Sequence, residues 1–303
     1  MESRKDFKMV ATTMFGLEEV LATELRNLGA QDVEVGIRNV SFKGDKGFMY
    51  KANIALRTAI RILKPIKSFK VFDEEDLYDS LQKIKWENYL EVDGTFSIGA
   101  VVNSKHFTTN SHYITLKSKD AVADYYRHKY SKRPNVDLKY PDLKIHIHIQ
   151  KDWCTVSLDS SGDSLHKRGY RSATNIAPIN EVLAAGLILL SGYTGDENFI
   201  DPMCGSGTIL IEAAMIANNI PANINRKHFG FENQQLPHLW ATSSQFDTGW
   251  LTNNQQAHQG QYSLGSRSID DDQIAEIHWL GLFEVGYLYF NYYLDSESYG
   301  DYL

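Results

Sequence analysis

Two spacings of apolar residues alternate along the first 160 positions, one helical and one extended. Residues 9 to 15 make a short apolar run. Beyond Gly16, Leu17, Val20, Leu21, Leu25 and Leu28 recur on one helical face, with Arg26 in the last turn and Gly29 as the stop. Val33, Val35 and Ile37, then Val40 and Phe42, alternate with polar residues across Arg38-Asn39, which predicts a hairpin. Helical spacing returns between Lys46 and Leu63 through Tyr50, Ile54, Leu56, Ala59 and Ile60, and Pro65 predicts its end. Strand, helix, hairpin and helix make a small α+β module.

A second unit opens with Glu74 to Asp79, acidic residues where a helix dipole favours them, and runs through Leu81 and Ile84 towards Trp86. Phe96, Ile98 and Ala100 alternate as a strand. Tyr113 to Tyr130 reads as a helix carrying Lys117, Lys119, Arg127 and Lys129. Ile145, Ile147 and Ile149 alternate on a strand that turns at Lys151-Asp152 into Trp153 to Leu158. His146 and His148 share the polar phase of that strand with no acidic or thiol ligand in register, so the strand reads as a solvated or RNA-facing surface rather than a metal site.

The third region has a different texture. Ala177-Pro-Ile-Asn-Glu181 begins an apolar helix to Ser191, with Pro178 tolerated in its first turn. Asn198-Phe-Ile200 then predicts a short strand, Asp201-Pro-Met-Cys-Gly-Ser-Gly-Thr208 a turn, and Ile209 to Ile216 a long apolar helix. A strand, a glycine turn and a helix bring bare backbone N–H groups and a helix N-terminus to a ligand. A phosphate-gripping loop would place a lysine after Gly207, where Thr208 stands; a dinucleotide fingerprint would place a third glycine where Leu210 stands. Gly205 and Gly207 permit a close backbone approach, and Asp201 can pair with a cationic group.

At 303 residues the chain has room for two ordinary domains. No stretch approaches a membrane span, and the charged start, Met1 to Asp6, lacks the apolar segment of a signal peptide, so a cytoplasmic protein is expected. Two cysteines, Cys154 and Cys204, are too few for a disulfide framework. The net charge of -7 argues against a polyanion partner until it is divided. Residues 1 to 171 hold 28 Lys and Arg against 23 Asp and Glu, whereas residues 172 to 303 hold 3 against 15. The first half has the basic character that RNA requires. Leu165-His-Lys-Arg-Gly-Tyr-Arg171, at the end of a Gly- and Ser-containing link, surrounds Tyr170 with cationic side chains that could grip phosphate and stack on a base, or could be an ordinary basic linker.

Asp201 to Thr208 resembles the first motif of class I S-adenosylmethionine-dependent methyltransferases that act on an exocyclic amine of a base. With Gly16-Leu-Glu-Glu-Val-Leu21, Lys117-Ser-Lys-Asp-Ala-Val122, Leu165 to Arg171, Ala177 to Glu181 and Arg226-Lys-His-Phe-Gly-Phe-Glu232, the order of parts is similar to the THUMP-domain RNA methyltransferases. Within them it looks like the bacterial large-subunit rRNA guanine-N2 group. The resemblance covers about residues 7 to 232. It implies a ferredoxin-like module at 1–70, a THUMP RNA-binding domain at 71–165 and the N-terminal part of a Rossmann-like methyltransferase domain at 166–232. The fold class is thus an α+β N-terminal half followed by the start of an α/β domain.

The resemblance also implies S-adenosylmethionine as cofactor and rRNA as partner. By motif position Asp201, Pro202, Cys204, Gly205, Ser206, Gly207 and Thr208 line the cofactor, with Glu212 on the helix behind them. Lys117, Lys119, Arg168, Tyr170 and Arg171 are the candidates for RNA contacts.

Amine methylation of a base also calls for an Asn- or Asp-Pro-Pro-aromatic constellation, whose oxygens hold the amine while the ring stacks on the base. The chain has no Pro-Pro, and its last proline is Pro237. No catalytic residue is therefore assigned. Residues 233–303 hold no lysine, one arginine (Arg267) and nine acidic residues, and show no strand-helix alternation. Three origins fit this tail, an out-of-frame translation, a divergent replacement, or a domain completed by a second chain, and the abrupt change of composition after Glu232 favours the first. Two functions follow, an rRNA methyltransferase or an RNA-binding relative that has lost its chemistry.

Overall fold

The computed structural model describes residues 6–231 apart from 106, 108–110 and 172–177. Its first six elements are β1 (Phe7–Thr12), α1 (Glu18–Leu28), β2 (Gln31–Val35), β3 (Asn39–Gly44), α2 (Lys46–Ala55) and β4 (Arg61–Lys70). They form an antiparallel sheet in the order β2-β3-β1-β4, a ferredoxin-like arrangement. Helix α1 stops where expected, because Gly29 adopts a left-handed φ of 95° and its N–H donates to Arg26 O. Helix α2 starts at Asp45, whose carboxylate accepts Phe48 N–H at 2.7 Å.

The expected continuation of α2 to Leu63 is not what the chain does. Leu56 is extended, and Arg61 onward is a strand. Pro65 lies inside β4 opposite Ser157, beside a register shift between Pro65 and Lys67. A bulge tolerates a residue that cannot donate to the ladder. Strand β4 thereby completes the first unit and begins the second.

That second unit comprises α3 (Glu74–Gln82), a single 3-10 turn (Trp86–Asn88), β5 (Thr95–Asn103), α4 (Ser111–Tyr130), β6 (Asn135–Val136), β7 (Leu143–Gln150) and β8 (Trp153–Asp159). Strand β5 lies parallel to β6 and β7, and β7 forms a hairpin with β8. Because β4 pairs with β1 through Arg61–Leu63 and with β8 through Leu63–Lys70, both units share one eight-stranded sheet, β2-β3-β1-β4-β8-β7-β5-β6.

Helices cover the sheet in two patches, each with its own core. Phe96, Ile145, Ile147 and Val156 meet Leu77, Leu81, Val122 and Tyr126 in one; Trp86 is fully buried there and donates from Nε1 to Leu81 O at 2.9 Å. Met9, Leu21, Leu25, Phe42 and Ile62 make the other, which also takes in Leu165, Phe229 and Phe231 from much later in the chain. The region after β8 is folded back onto the first unit.

Its described residues include two helices, α5 (Glu181–Leu190) and α6 (Thr208–Ala217). Helix α5 begins at Glu181, capped by Asn180, so Pro178 precedes it rather than occupying its first turn. Asn198 to Ile200, expected as a strand, is irregular, and Ile200 is exposed. Among the described residues no strand lies beside it, so its backbone has no ladder to join. The expectations for Ala177, Glu232 and the tail 233–303 lie outside the described residues.

Candidate cofactor-binding site

The loop from Asp201 to Gly207 delivers the chain into α6. Gly205 and Gly207 both have positive φ, 53° and 73°, and a Cβ on either would meet no atom within 4 Å. Backbone conformation, not crowding, calls for glycine here, and the loop stands open on that side. Asp201 Oδ1 accepts Met203 N–H at 3.0 Å, closing the turn. Met203, Ile200 and Pro202 are exposed and Cys204 is a partly exposed free thiol, whereas Thr208 is buried at the head of α6. An open glycine loop, a carboxylate at its start and a helix N-terminus at its end suit a ligand that carries both an ammonium group and hydrogen-bond acceptors.

Arg171 holds the loop from behind. Its guanidinium donates to Thr208 Oγ1 at 2.6 Å, to Ser206 Oγ at 3.3 Å and to Ile179 O at 3.2 Å, and Nε is ion-paired with the buried Glu181 at the start of α5. Ser206 and Thr208 are in turn 3.2 Å apart. One side chain thus joins the linker, the start of α5 and the glycine loop.

Within the basic run at 165–171, Arg168, Tyr170 and Arg171 are engaged with the interior while Lys167 stays exposed beside Asp163, which corrects the reading of those three side chains as an RNA grip. Arg168 is 1% exposed. Its guanidinium donates to Glu212 Oε1 at 3.3 Å, Leu165 O at 3.0 Å, Asn223 Oδ1 at 3.3 Å and Arg57 O. Tyr170 OH donates to the same Glu212 oxygen at 3.1 Å, and burial raises its phenol far above the usual range. Glu212 is fully buried by these partners, and burial raises its carboxyl. Its side chain is committed to the interior behind α6, so Glu212 is corrected from a cofactor ligand to a structural partner of Arg168.

A chain of buried polar groups extends from that pair to the first unit. Arg57 donates to Ile220 O at 2.8 Å and Met215 O at 3.2 Å at the far end of α6, and the carboxylate of Glu24 accepts its backbone N–H at 2.8 Å. Asn223 Nδ2 donates to Asn53 O at 2.9 Å. Arg226 donates to the carbonyls of Ser161, Asp163, Ser164 and Lys167, stapling the segment after α6 onto the linker. No local spacing in the sequence marks Glu24, Arg57 or Asn223, since their partners are 33 to 170 positions away. Arg226 falls within a run singled out in the sequence, without a role assigned to it.

The remaining basic candidates lie on α4. Lys117 is 2.6 Å from Glu75 and over the ring of Tyr78 at 5.0 Å, and Lys119 is 3.5 Å from Asp120. Buried Ser118 separates them, so they point roughly 200° apart around the helix. His146 departs from the solvated surface expected of it. It lines a small hollow with Arg61, Lys144 and Asp159; its Nδ1 is enclosed and burial lowers it to about 4.

Three domain families match in chain order: the RlmL ferredoxin-like domain at residues 8–63, the THUMP domain at 71–159 and the RMKL-like methyltransferase domain at 168–273. The last match continues past Glu232. Among solved structures, SMU.472 in complex with SAH is 38% identical over 79% of this chain, with a TM-score of 0.66. A protein described as a "predicted N6-adenine-specific DNA methylase" from Listeria monocytogenes is 35% identical over 76%, with a TM-score of 0.66. A "possible methylase" from Clostridium difficile 630 is 35% identical over 76%, with a TM-score of 0.67. The chain spans 60 to 62% of the length of these three proteins.

Proposed function

Since the chain belongs to the THUMP-containing class I RNA methyltransferases, joining a ferredoxin-like domain, a THUMP domain and a methyltransferase domain in that order, we propose that it serves S-adenosylmethionine-dependent methylation of RNA. The observation that carries this reading is the loop from Asp201 to Gly207, open at two left-handed glycines and held by Arg171 at the head of α6. When bound, the cofactor supplies a methyl group on a positively charged sulfur. Asp201 would hold the cofactor's ammonium group, and Pro202, Cys204 and the backbone of Gly205 to Gly207 would line its place at the loop. Ser206 and Thr208 keep the loop in register through Arg171.

The target we propose is an exocyclic amine of an rRNA base, the N2 of a guanine first, in a cytoplasmic setting. Guanine N2 and the adenine N6 named for the Listeria neighbour are the same kind of nitrogen, and the THUMP domain favours RNA over DNA. The test has two parts. Calorimetric titration of the full chain with S-adenosylhomocysteine examines the loop; transfer of labelled methyl to unmodified rRNA, followed by nucleoside analysis, examines the chemistry.

One sequence feature supports a second reading, an RNA-binding protein without turnover: the chain contains no Pro-Pro-aromatic motif. Cofactor binding with no methyl transfer would select it, and transfer by this chain alone would exclude it.

A further inference from the structure

Where the two units meet on the helical side of their common sheet there is a groove of about 630 Å³, within the size range of small-molecule sites. Phe7, Lys46 and Lys64 line it from the ferredoxin-like unit, and Glu87, Asp93 and Asp142 from the THUMP unit.

Lys64 is in the wrong place for an ordinary lysine. It occupies the core-facing phase of β4: Ile62, two residues earlier, belongs to one core, and Leu158, its cross-strand partner, belongs to the other. Its ammonium lies 4.3 Å from the ring centroid of Phe7. Burial lowers its pKa, and the charge of Lys46 lowers it further. Lys46 stands at the first position of α2, where a helix dipole disfavours a cation. Among the described residues neither lysine has a carboxylate or hydrogen-bond partner.

The acidic wall, to which Glu91 also contributes, does not pair with them, and three of its carboxylates have partners of their own. Glu87 pairs with Lys129 and Tyr125, Asp93 lies 3.7 Å from Lys132, and Asp142 accepts from Thr95 N–H and Oγ1. Lys46 is exposed at the mouth of the groove and Lys64 is partly buried within it; a partly buried cation without counter-charge destabilises a fold unless something anionic joins it.

We propose that this groove binds a single nucleotide, with its phosphate on Lys46 and Lys64 and the N–H donors of its base towards the carboxylate wall. The opposed walls make it a site for one phosphate rather than a stretch of backbone, since a second phosphate would face Glu87, Asp93 and Asp142. An unpaired nucleotide within RNA and a free mononucleotide share this chemistry. The RNA alternative rests on the RNA-directed function proposed above; the free-nucleotide alternative does not.

The experiment uses the full chain with two probes, a fluorescein-labelled single-stranded RNA octamer and GMP, across a salt series. Wild type is compared with Lys46→Ala, Lys64→Met and, as an exposed control in the β7–β8 turn, Lys151→Ala. Loss of one phosphate contact is expected to raise the RNA dissociation constant about fivefold at about 0.1 M salt and to reduce the salt slope by about 0.7. Lys64→Met should also raise the melting temperature, because it removes an unneutralised charge; a lysine kept for structure would lower it.

Lysine-dependent binding of RNA identifies RNA as the source, and lysine-dependent binding of GMP alone identifies the free nucleotide. Wild-type RNA binding that neither groove variant alters, with GMP equally insensitive, overturns the groove and leaves the proposed function standing. A wild-type chain that binds neither probe also overturns the groove, whereas the proposed function falls only if S-adenosylhomocysteine binding and methyl transfer to rRNA both fail.

Discussion

Removing the charge of Glu212 tests whether the buried pair behind α6 fastens the cofactor loop to the rest of the protein. Both partners are inside, Arg168 at 1% exposure and Glu212 at 0%, with Nε and Oε1 3.3 Å apart. Breaking a buried pair from one side costs about 3 to 5 kcal/mol, because the other charge stays behind unpaired. In Glu212→Gln the guanidinium of Arg168 keeps the oxygens of Leu165, Asn223 and Arg57, which puts the loss at the lower end, about 3 kcal/mol.

For a protein of this size that loss corresponds to a melting temperature lower by about 6 to 12 °C. Multi-domain unfolding need not be two-state, so the decisive assay is hydrogen exchange read on peptides covering 208–217. The amides of α6 should exchange about 100-fold faster in the variant, while β7 and β8 keep their wild-type protection. A double variant, Arg168→Met with Glu212→Leu, should recover most of the loss, since no charge is then left behind. If Glu212→Gln shifts stability by less than about 1 kcal/mol, or if the double variant loses the sum of both singles, the pair does not fasten α6.

Three further outcomes are expected. Arg171→Met should weaken S-adenosylhomocysteine binding about tenfold by calorimetry, a loss of about 1.4 kcal/mol, and Arg171→Lys should restore little, because one ammonium cannot span Glu181, Ser206 and Thr208; unchanged affinity in both would remove Arg171 from the site. Gly207→Ala should cost roughly 1 to 2 kcal/mol through its φ of 73° alone, seen as a matching drop in chemical stability, because there is open space for the methyl group. His146, at about 4 in the fold against 6.5 free, takes up its proton more readily when unfolded. Its contribution is present above pH 6.5 and is lost as pH falls towards 4, to a limit of about 3 kcal/mol. His146→Gln should therefore show a smaller drop in urea midpoint between pH 7.5 and 4.5 than wild type, and equal drops would contradict the buried imidazole.

The periodic elements were the legible part of the fold. The helical face of Leu17, Leu21 and Leu25 with Gly29 behind it, and the alternation of Ile145, Ile147 and Ile149, are local signals, and both appear as read. Strand β4 was hidden because Leu56, Ala59 and Ile60 continue a helical spacing by chance and Pro65 looks like a terminator. Only the bulge opposite β8, a tertiary feature, explains how proline is tolerated there. The glycine loop was legible in composition and order. The direction of the basic run was not, because local charge cannot reveal that Arg168 faces a carboxylate 44 positions later. Likewise Asn198 to Ile200 has strand composition, but a strand exists only with a neighbour.

Strand β4 is a load shared by two sheets that are really one, and this restricts how the protein can be divided. Its first residues belong to the ladder with β1 and its last eight positions to the ladder with β8. A cut anywhere in Arg61–Lys70 leaves one unit with a bare edge, and a graft of the THUMP unit onto another protein must carry β4 with it. The same strand acts as a ruler: with no linker between the two units, their separation is set by backbone pairing rather than by chain length. Whatever they grasp together is presented at one fixed distance from the first core, onto which the glycine loop's own helix is fastened.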